Sequence, residues 1–301
     1  MKTFIPFLIL LSFFSACQKQ ITPPVIPEPP SVDVPIDSTV ITDSTIVDST
    51  AADSSLTGTV VCTPFMQRTI VQLDKTHADS ALLQLPCAYN AENKNERYPL
   101  LIFLNGMYEG SDYGNLNKLL TLGLTRYMAD SARFSFTSGG QKYNFIVVCA
   151  QSANGFRKPK TTNQIIDYMV ANYQVDTTRI YLTGLSAGAN SIYTYLTDKP
   201  EYAQRIAAVV PMSTTFLDST HRSRLGLIGQ ANIHALIYCG DEDHQYLASN
   251  KRYASMINEA APGFAEFHTY HGAHKNWNPM YAPNHKYYNP NMYEWLLQFS
   301  K

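Results

Sequence analysis

The stretch IYLTGLSAGANSIYTYL, residues 180–196, decides the fold. It opens on β-branched and aromatic residues that read as a strand, passes through the small residues Gly184 to Gly188, and continues as ANSIYTYL, which reads as a helix. A strand running straight into a helix is half of the crossover unit that joins parallel strands. Ser186 stands between the two glycines of that turn. Such a serine either caps the helix or presents a reactive hydroxyl. A hydroxyl is a poor nucleophile until a base takes its proton, so the rest of the chain must supply a base, an acid and oxyanion donors.

Working outward, apolar strand-like runs alternate with helical patterns from about residue 57. The runs cover 68–73, 80–89, 98–106, 143–151, 179–184, 206–213, 234–240 and 264–272. No helix separates the first two, which predicts an antiparallel start. The middle runs are nearly continuous in Val, Ile and Leu, the pattern of parallel strands covered on both faces. Helices are expected at 116–129, 162–173, 187–197, 247–261 and 292–299. In the second of these, Ile165, Ile166, Met169, Val170 and Tyr173 share one face at the helical period. The alternation predicts an α/β fold, a mostly parallel doubly wound sheet with helices on both faces. Ligands of such sheets sit at the carboxyl ends of the strands.

The 301 residues are 45% hydrophobic and 12% aromatic, ample for one large core. A formal net charge of −1 provides no basic face for nucleic acid, so no nucleic-acid partner is expected. The N-terminus, MKTFIPFLILLSFFSAC, pairs a lysine with a short apolar run and small residues before Cys17, an export signal. Phe14-Ser15-Ala16-Cys17 resembles a bacterial lipobox, with Phe14 where the pattern prefers Leu. Residues 1–17 are therefore expected to be a lipoprotein signal peptide, with Cys17 the lipid anchor and the only membrane attachment. The product would be an exported lipoprotein on the periplasmic or cell-surface face. Residues 18–56 lack Lys and Arg beyond Lys19, and carry Glu28, Asp33, Asp37, Asp43, Asp48 and Asp53 among Pro, Ser and Thr. They read as a disordered tether. The folded domain is expected over 57–301. Cys149 and Cys239 each close an apolar run and are expected as buried thiols. Cys62 with Cys87 is the pair to test for a bridge.

Gly184-Leu185-Ser186-Ala187-Gly188 fits Gly-x-Ser-x-Gly, whose glycines permit a cramped turn that thrusts the hydroxyl outward. Downstream, HALIYCG ends at Gly240-Asp241-Glu242-Asp243, and the last strand-like run ends at HGAHKNW. Serine, acid and histidine thus follow one another in that chain order, each just beyond a strand-like run.

From Tyr98 onward the chain resembles the α/β-hydrolase esterases related to carbohydrate (feruloyl and acetyl xylan) esterases and the polyhydroxybutyrate-depolymerase-like group. The resemblance rests on PLLIFLNG, VDTTRIYLTGLSAG, the Gly-x-x-Asp after the next-to-last strand, and HKNWNPMY followed by NPNMYEWLL. It implies an α/β-hydrolase fold and a triad of Ser186, Asp243 and His274, with Asp241 or Glu242 as alternative acids and His271 as the alternative base. Oxyanion donors would be the backbone N–H groups of Ala187 and of Met107, in the loop Asn105 to Gly110, where Asn105 replaces the family's histidine. Asn105, Tyr108 and Trp277 are candidate substrate contacts. Tyr281, Tyr287, Tyr288 and Tyr293 offer further stacking faces, although packing of the last helix is the stronger expectation for Tyr293 and Trp295.

The implied activity is a serine esterase that deacylates polysaccharide-linked or small aryl and acyl esters through an acyl-enzyme, with no metal and no organic cofactor. A serine peptidase of the same fold and a silent glycan-binding lipoprotein are the alternatives.

Overall fold

A computed structural model describes residues 66–87, 89–285 and 288–301. All of them belong to the second of two units into which the chain divides, Gly58–Lys301. The signal segment, Cys17, the tether, Cys62 and Tyr287 lie outside the described residues. Cys87, among the described residues, is disulfide-bonded. Among the described residues no helix is long and apolar enough to cross a membrane.

The strands are β1 (Met66–Gln72), β2 (Ala78–Gln84), β3 (Tyr98–Leu104), β4 (Ser135–Ser138), β5 (Gln141–Asn144), β6 (Ile146–Ala150), β7 (Val175–Leu185), β8 (Ala208–Met212), β9 (His234–Gly240) and β10 (Ala265–Tyr270). Eight of them form one sheet in the order β1-β2-β6-β3-β7-β8-β9-β10, while β4 and β5 make a separate hairpin. The pairs β1–β2 and β2–β6 are antiparallel, and every pair from β6–β3 to β9–β10 is parallel.

Period-two alternation splits the strand side chains between two cores. Leu100, Ile102 and Leu104 of β3 join one cluster with Ile165, Ile166 and Met169 of the helix Pro159–Asn172, Ile192 and Leu196 of the helix Ala187–Asp198, and Ile257 of the helix Leu247–Ala260. Leu101 and Phe103 join the other, with Leu124, Met128, Trp295 and Leu296. Both faces are covered, which is why β3 and β6 are apolar throughout. Val170 and Tyr173 are half-buried against the first cluster, as the helical face predicts.

Two expected elements are interrupted. The helix expected over 116–129 is a 3-10 turn, Leu116–Thr121, followed by a short α-helix, Leu124–Ala129. Gly123 divides them at φ +67°, and a Cβ there would lie 2.7 Å from the Phe103 ring. The run 143–151 divides at Phe145, whose N–H turns back to Phe134 O (2.9 Å), leaving its first part in the hairpin.

Candidate active site

The site forms where β3, β7, β9 and β10 end together. After Leu185 the chain makes the turn that the sequence indicates. Ser186 takes φ +54° and ψ −116°, a region that costs a non-glycine residue roughly 1–3 kcal/mol and persists only where its surroundings enforce it. They do so sterically. A Cβ on Gly188 would lie 2.0 Å from Leu104 O, and one on Gly184 would lie 2.8 Å from the same oxygen. The end of β3 therefore packs directly on the serine turn, and only glycine fits at either position. The Ser186 amide donates to Met212 O at the end of β8 (2.9 Å), which fixes the turn from the other side.

Three side chains from distant segments form one row. His274 Nε2 lies 2.9 Å from Ser186 Oγ, and His274 Nδ1 lies 2.7 Å from Asp243 Oδ2. The Asp243 side chain is 2% exposed and that of His274 is 28% exposed, so the carboxylate is sealed while the imidazole stays open to a ligand. Cys239 lies 3.7 Å from the same carboxylate oxygen. Burial pushes its thiol up to about 12, so it donates as a neutral S–H. The Tyr246 and Trp277 rings flank His274, at centroid separations of 4.9 and 5.1 Å, and Trp277 is edge-on.

The alternative acids and base occupy other positions. Asp241 Oδ1 accepts the Gly272 N–H (2.8 Å), and its Oδ2 lies 3.4 Å from His271 Nδ1. That N–H, more than any other group, holds the Asp241 carboxyl below its ordinary range. His271 is 87% exposed. Asp241 thus ties down the start of the segment that carries His274, without being hydrogen-bonded to that histidine. Glu242 is exposed; it, Asp241 and His271 offer ligand atoms within 4.8 Å of one another on the open surface.

Beside Ser186 lies a cavity of about 730 Å³ with a mainly apolar lining that includes Met107, Tyr108, Leu122, Leu185 and Trp277. Tyr108 is half exposed, with the Lys118 ammonium 5.2 Å from its ring centroid. Ala187 is the first residue of its helix, so its N–H has no carbonyl one turn back to bond. The segment Gly106–Met107 runs alongside, since a Cβ on Gly106 would lie 3.4 Å from Leu185 O.

Asn105 requires a correction. It is buried, and its amide is committed to backbone: Nδ2 donates to Gly106 O (2.9 Å) and Ser152 O (3.2 Å), and Oδ1 accepts from Ser152 N (2.9 Å). It staples the loop after β3 to the loop after β6 and does not line the cavity. The stacking role weighed for Tyr281 and Tyr293 is also excluded. Both are fully buried, and Tyr293 stacks on Phe136 at 4.6 Å. Tyr288 packs on Tyr238 instead, at 5.4 Å. Reading the sequence passed over Glu109, which lines the cavity yet is 1% exposed. A charged residue three places before an aspartate in a loop gives no sign of burial.

No family profile matches the chain, and no curated protein matches it in sequence. Solved structures match in fold. A thermostable esterase superposes with a TM-score of 0.55 at 20% identity, over 78% of this chain and 63% of that one. A ferulic acid esterase does so at 0.50 and 15%, over 71% of this chain and 92% of that one. A Bacteroides ovatus structure described as a dipeptidyl aminopeptidase IV gives 0.50 and 15%, over 70% of this chain and 33% of that one. The chain thus spans less than two thirds of the first of these and about a third of the last. With a mostly parallel eight-stranded sheet in this order and helices on both faces, its fold is that of the α/β-hydrolases.

Proposed function

We propose that the protein is a serine carboxylic ester hydrolase whose nucleophile, base and acid are Ser186, His274 and Asp243. The observation that carries this reading is the hydrogen-bonded row itself, 2.9 Å from Oγ to Nε2 and 2.7 Å from Nδ1 to Oδ2. With its Nδ1–H held by the buried carboxylate, the imidazole presents Nε2 as acceptor to the serine. As Oγ attacks an ester carbonyl, Nε2 takes its proton and Asp243 stabilises the imidazolium. The imidazolium then protonates the leaving alcohol. Water, activated by the same nitrogen, hydrolyses the acyl-enzyme and restores the serine. The N–H groups of Ala187 and Met107 receive the developing oxyanion, and one such donor is typically worth about 10²–10³ in rate. None of these steps calls for a metal or an organic cofactor.

The apolar cavity supports an acyl or aryl group next to the scissile carbonyl, with Tyr108 and Trp277 as contacts. A carbohydrate-linked ester is the substrate class we favour. Phe216, 58% exposed, packs on Tyr246, which in turn packs on His274, so an aromatic face adjoins the base and offers a stacking surface for a sugar ring. Export and anchoring through a lipid on Cys17 complete the proposal, and would hold the enzyme at a membrane surface facing such polymers.

Purified protein and S186A are compared on a short-chain p-nitrophenyl ester, acetylated xylan and methyl ferulate, and by labelling with a fluorophosphonate. The wild type should hydrolyse and label. S186A should not label and should lose about 10⁴–10⁶ in kcat. Equal turnover by the two proteins would refute the nucleophile. Cleavage of peptides in preference to every ester would give the peptidase reading, and a wild type that stays unlabelled would give the binding module.

A further inference from the structure

Glu109 is unexplained by the mechanism above. Both of its carboxyl oxygens are closed to solvent, no side chain bonds them, and the polar groups that face them are the backbone N–H groups of Glu109 and Gly106. A carboxylate buried this deeply is costly, so a native fold that keeps one calls for a reason. The carboxyl rests against the loop after β3, because a Cβ on Gly106 would lie 2.8 Å from Glu109 Oε2.

That loop contains the peptide unit joining Gly106 to Met107, whose nitrogen is the proposed second oxyanion donor. Its carbonyl is pinned, since Gly106 O accepts from Asn105 Nδ2 (2.9 Å) and from Gly110 N (3.3 Å). In a planar trans peptide the N–H points opposite to the C=O, so pinning the oxygen aims the Met107 N–H. The peptide is also enclosed. A Cβ on Gly155 would lie 2.3 Å from Gly106 C and 2.5 Å from Met107 N, and one on Gly106 would lie 2.5 Å from Leu185 Cδ1. The Glu109 carboxyl lies against the same peptide, 2.8 Å from where a Gly106 Cβ would stand.

We propose that Glu109 is a positioning residue for the acyl-transfer site proposed above, on which this inference rests: its carboxyl braces the Gly106–Met107 peptide so that the Met107 N–H meets the developing oxyanion. Burial pushes this carboxyl up from its ordinary range, while the backbone amides of Glu109 and Gly106 and the Lys275 ammonium oppose that rise. Its other titratable neighbours are Cys149 and Tyr281, both kept neutral because burial pushes them up. Ionised, Glu109 would set a negative charge next to the peptide at which a second negative charge has to form. Preorganised donors help a transition state, and a misplaced anion at short range opposes it equally directly. Hydrolysis is therefore fast while Glu109 holds its proton and slows as rising pH removes it.

The test measures kcat and KM for a p-nitrophenyl ester between about pH 6 and about pH 9 for wild type, E109Q and E109M. Each protein is also labelled with a fluorophosphonate. Methionine keeps the length and removes the polar head, whereas glutamine keeps an acceptor oxygen for the loop amides, and a urea melt of each variant verifies its folding. The wild type should lose kcat on the alkaline side at unchanged KM. E109Q should stay within about threefold of the wild-type plateau without that loss, and E109M should fall about 10- to 100-fold in kcat at every pH with KM unchanged. The inference is overturned if E109Q keeps the alkaline loss or if E109M matches the wild type. Either result in a wild type that hydrolyses and labels leaves the proposed function standing. A wild type that does neither removes both.

Discussion

On one side of Ser186, the segments after β9 and β10 meet it through side chains: a buried carboxylate, an imidazole and a hydroxyl joined by two hydrogen bonds. On the other side, the loop after β3 meets it through backbone, packed so closely that Gly155, Gly184 and Gly188 have no room for a methyl group. The first side is electrostatic and the second is steric. A polar substitution on the first changes where protons and charges sit while leaving the packing alone. An added carbon on the second has nowhere to go. The contrast therefore predicts that the two sides fail differently, the first in rate alone and the second in rate and stability together.

The largest expected effect tests the electrostatic side. D243N keeps the shape of the side chain but lets its amide face Nδ1, which favours the wrong tautomer of His274. It should lose roughly 10⁴ in kcat and change the unfolding free energy by less than about 1 kcal/mol. Steady-state kinetics together with urea melts read both quantities. The steric counterpart is G155A. Gly155 sits at φ +71°, and its new Cβ would fall 2.3 Å from Gly106 C. The clash displaces the peptide that carries the proposed donor, so the variant should lose about 10² in kcat and about 1–3 kcal/mol of stability. A D243N as destabilised as G155A, or a G155A with unaltered rate, would erase the distinction.

The same contrast explains what could be read from the sequence. The serine turn is local: strand, small residues and helix are contiguous, and the glycines show because no other residue tolerates the approach of Leu104 O. The doubly covered sheet is legible for a similar reason, since Leu100 to Leu104 must satisfy two cores and so carry no polar residue. Asp243 and His274 are local in a weaker sense, each standing just beyond the end of a strand. The loop after β3 is not local at all. In the sequence Asn105 stands where a substrate contact belongs, but its partner is Ser152, and nothing near residue 105 announces that a second loop closes over it. Glu109 is hidden for the same reason: nothing next to it in the chain announces that its carboxyl lies against Gly106 and is closed to solvent. The break at Gly123 was likewise beyond a periodicity reading, because the group that captures its N–H is Asn278 Oδ1 (2.6 Å), far along the chain.

The smallest expected effect is the sharpest probe of the electrostatic side, because Asp241 and Asp243 lie two residues apart. Asp241 bonds the Gly272 N–H and leaves His274 alone, and its own N–H is held by Tyr270 O at 2.9 Å, so the turn keeps a backbone tie when the carboxylate is lost. D241N should therefore stay within about threefold of wild-type kcat. Its stability should show a pH signature. The folded-state carboxyl is lowered, chiefly by the Gly272 N–H, so its contribution is present above the unfolded carboxylate range and disappears as pH falls through the folded value. Wild type should thus exceed D241N in urea melts at about pH 7 by a small margin, one that shrinks as pH falls below the ordinary carboxylate range and is lost once the carboxylate of the folded wild type is itself protonated. A D241N that falls as far in kcat as D243N would move the acid to the other aspartate, and with it the claim that the sealed carboxylate orients the imidazole.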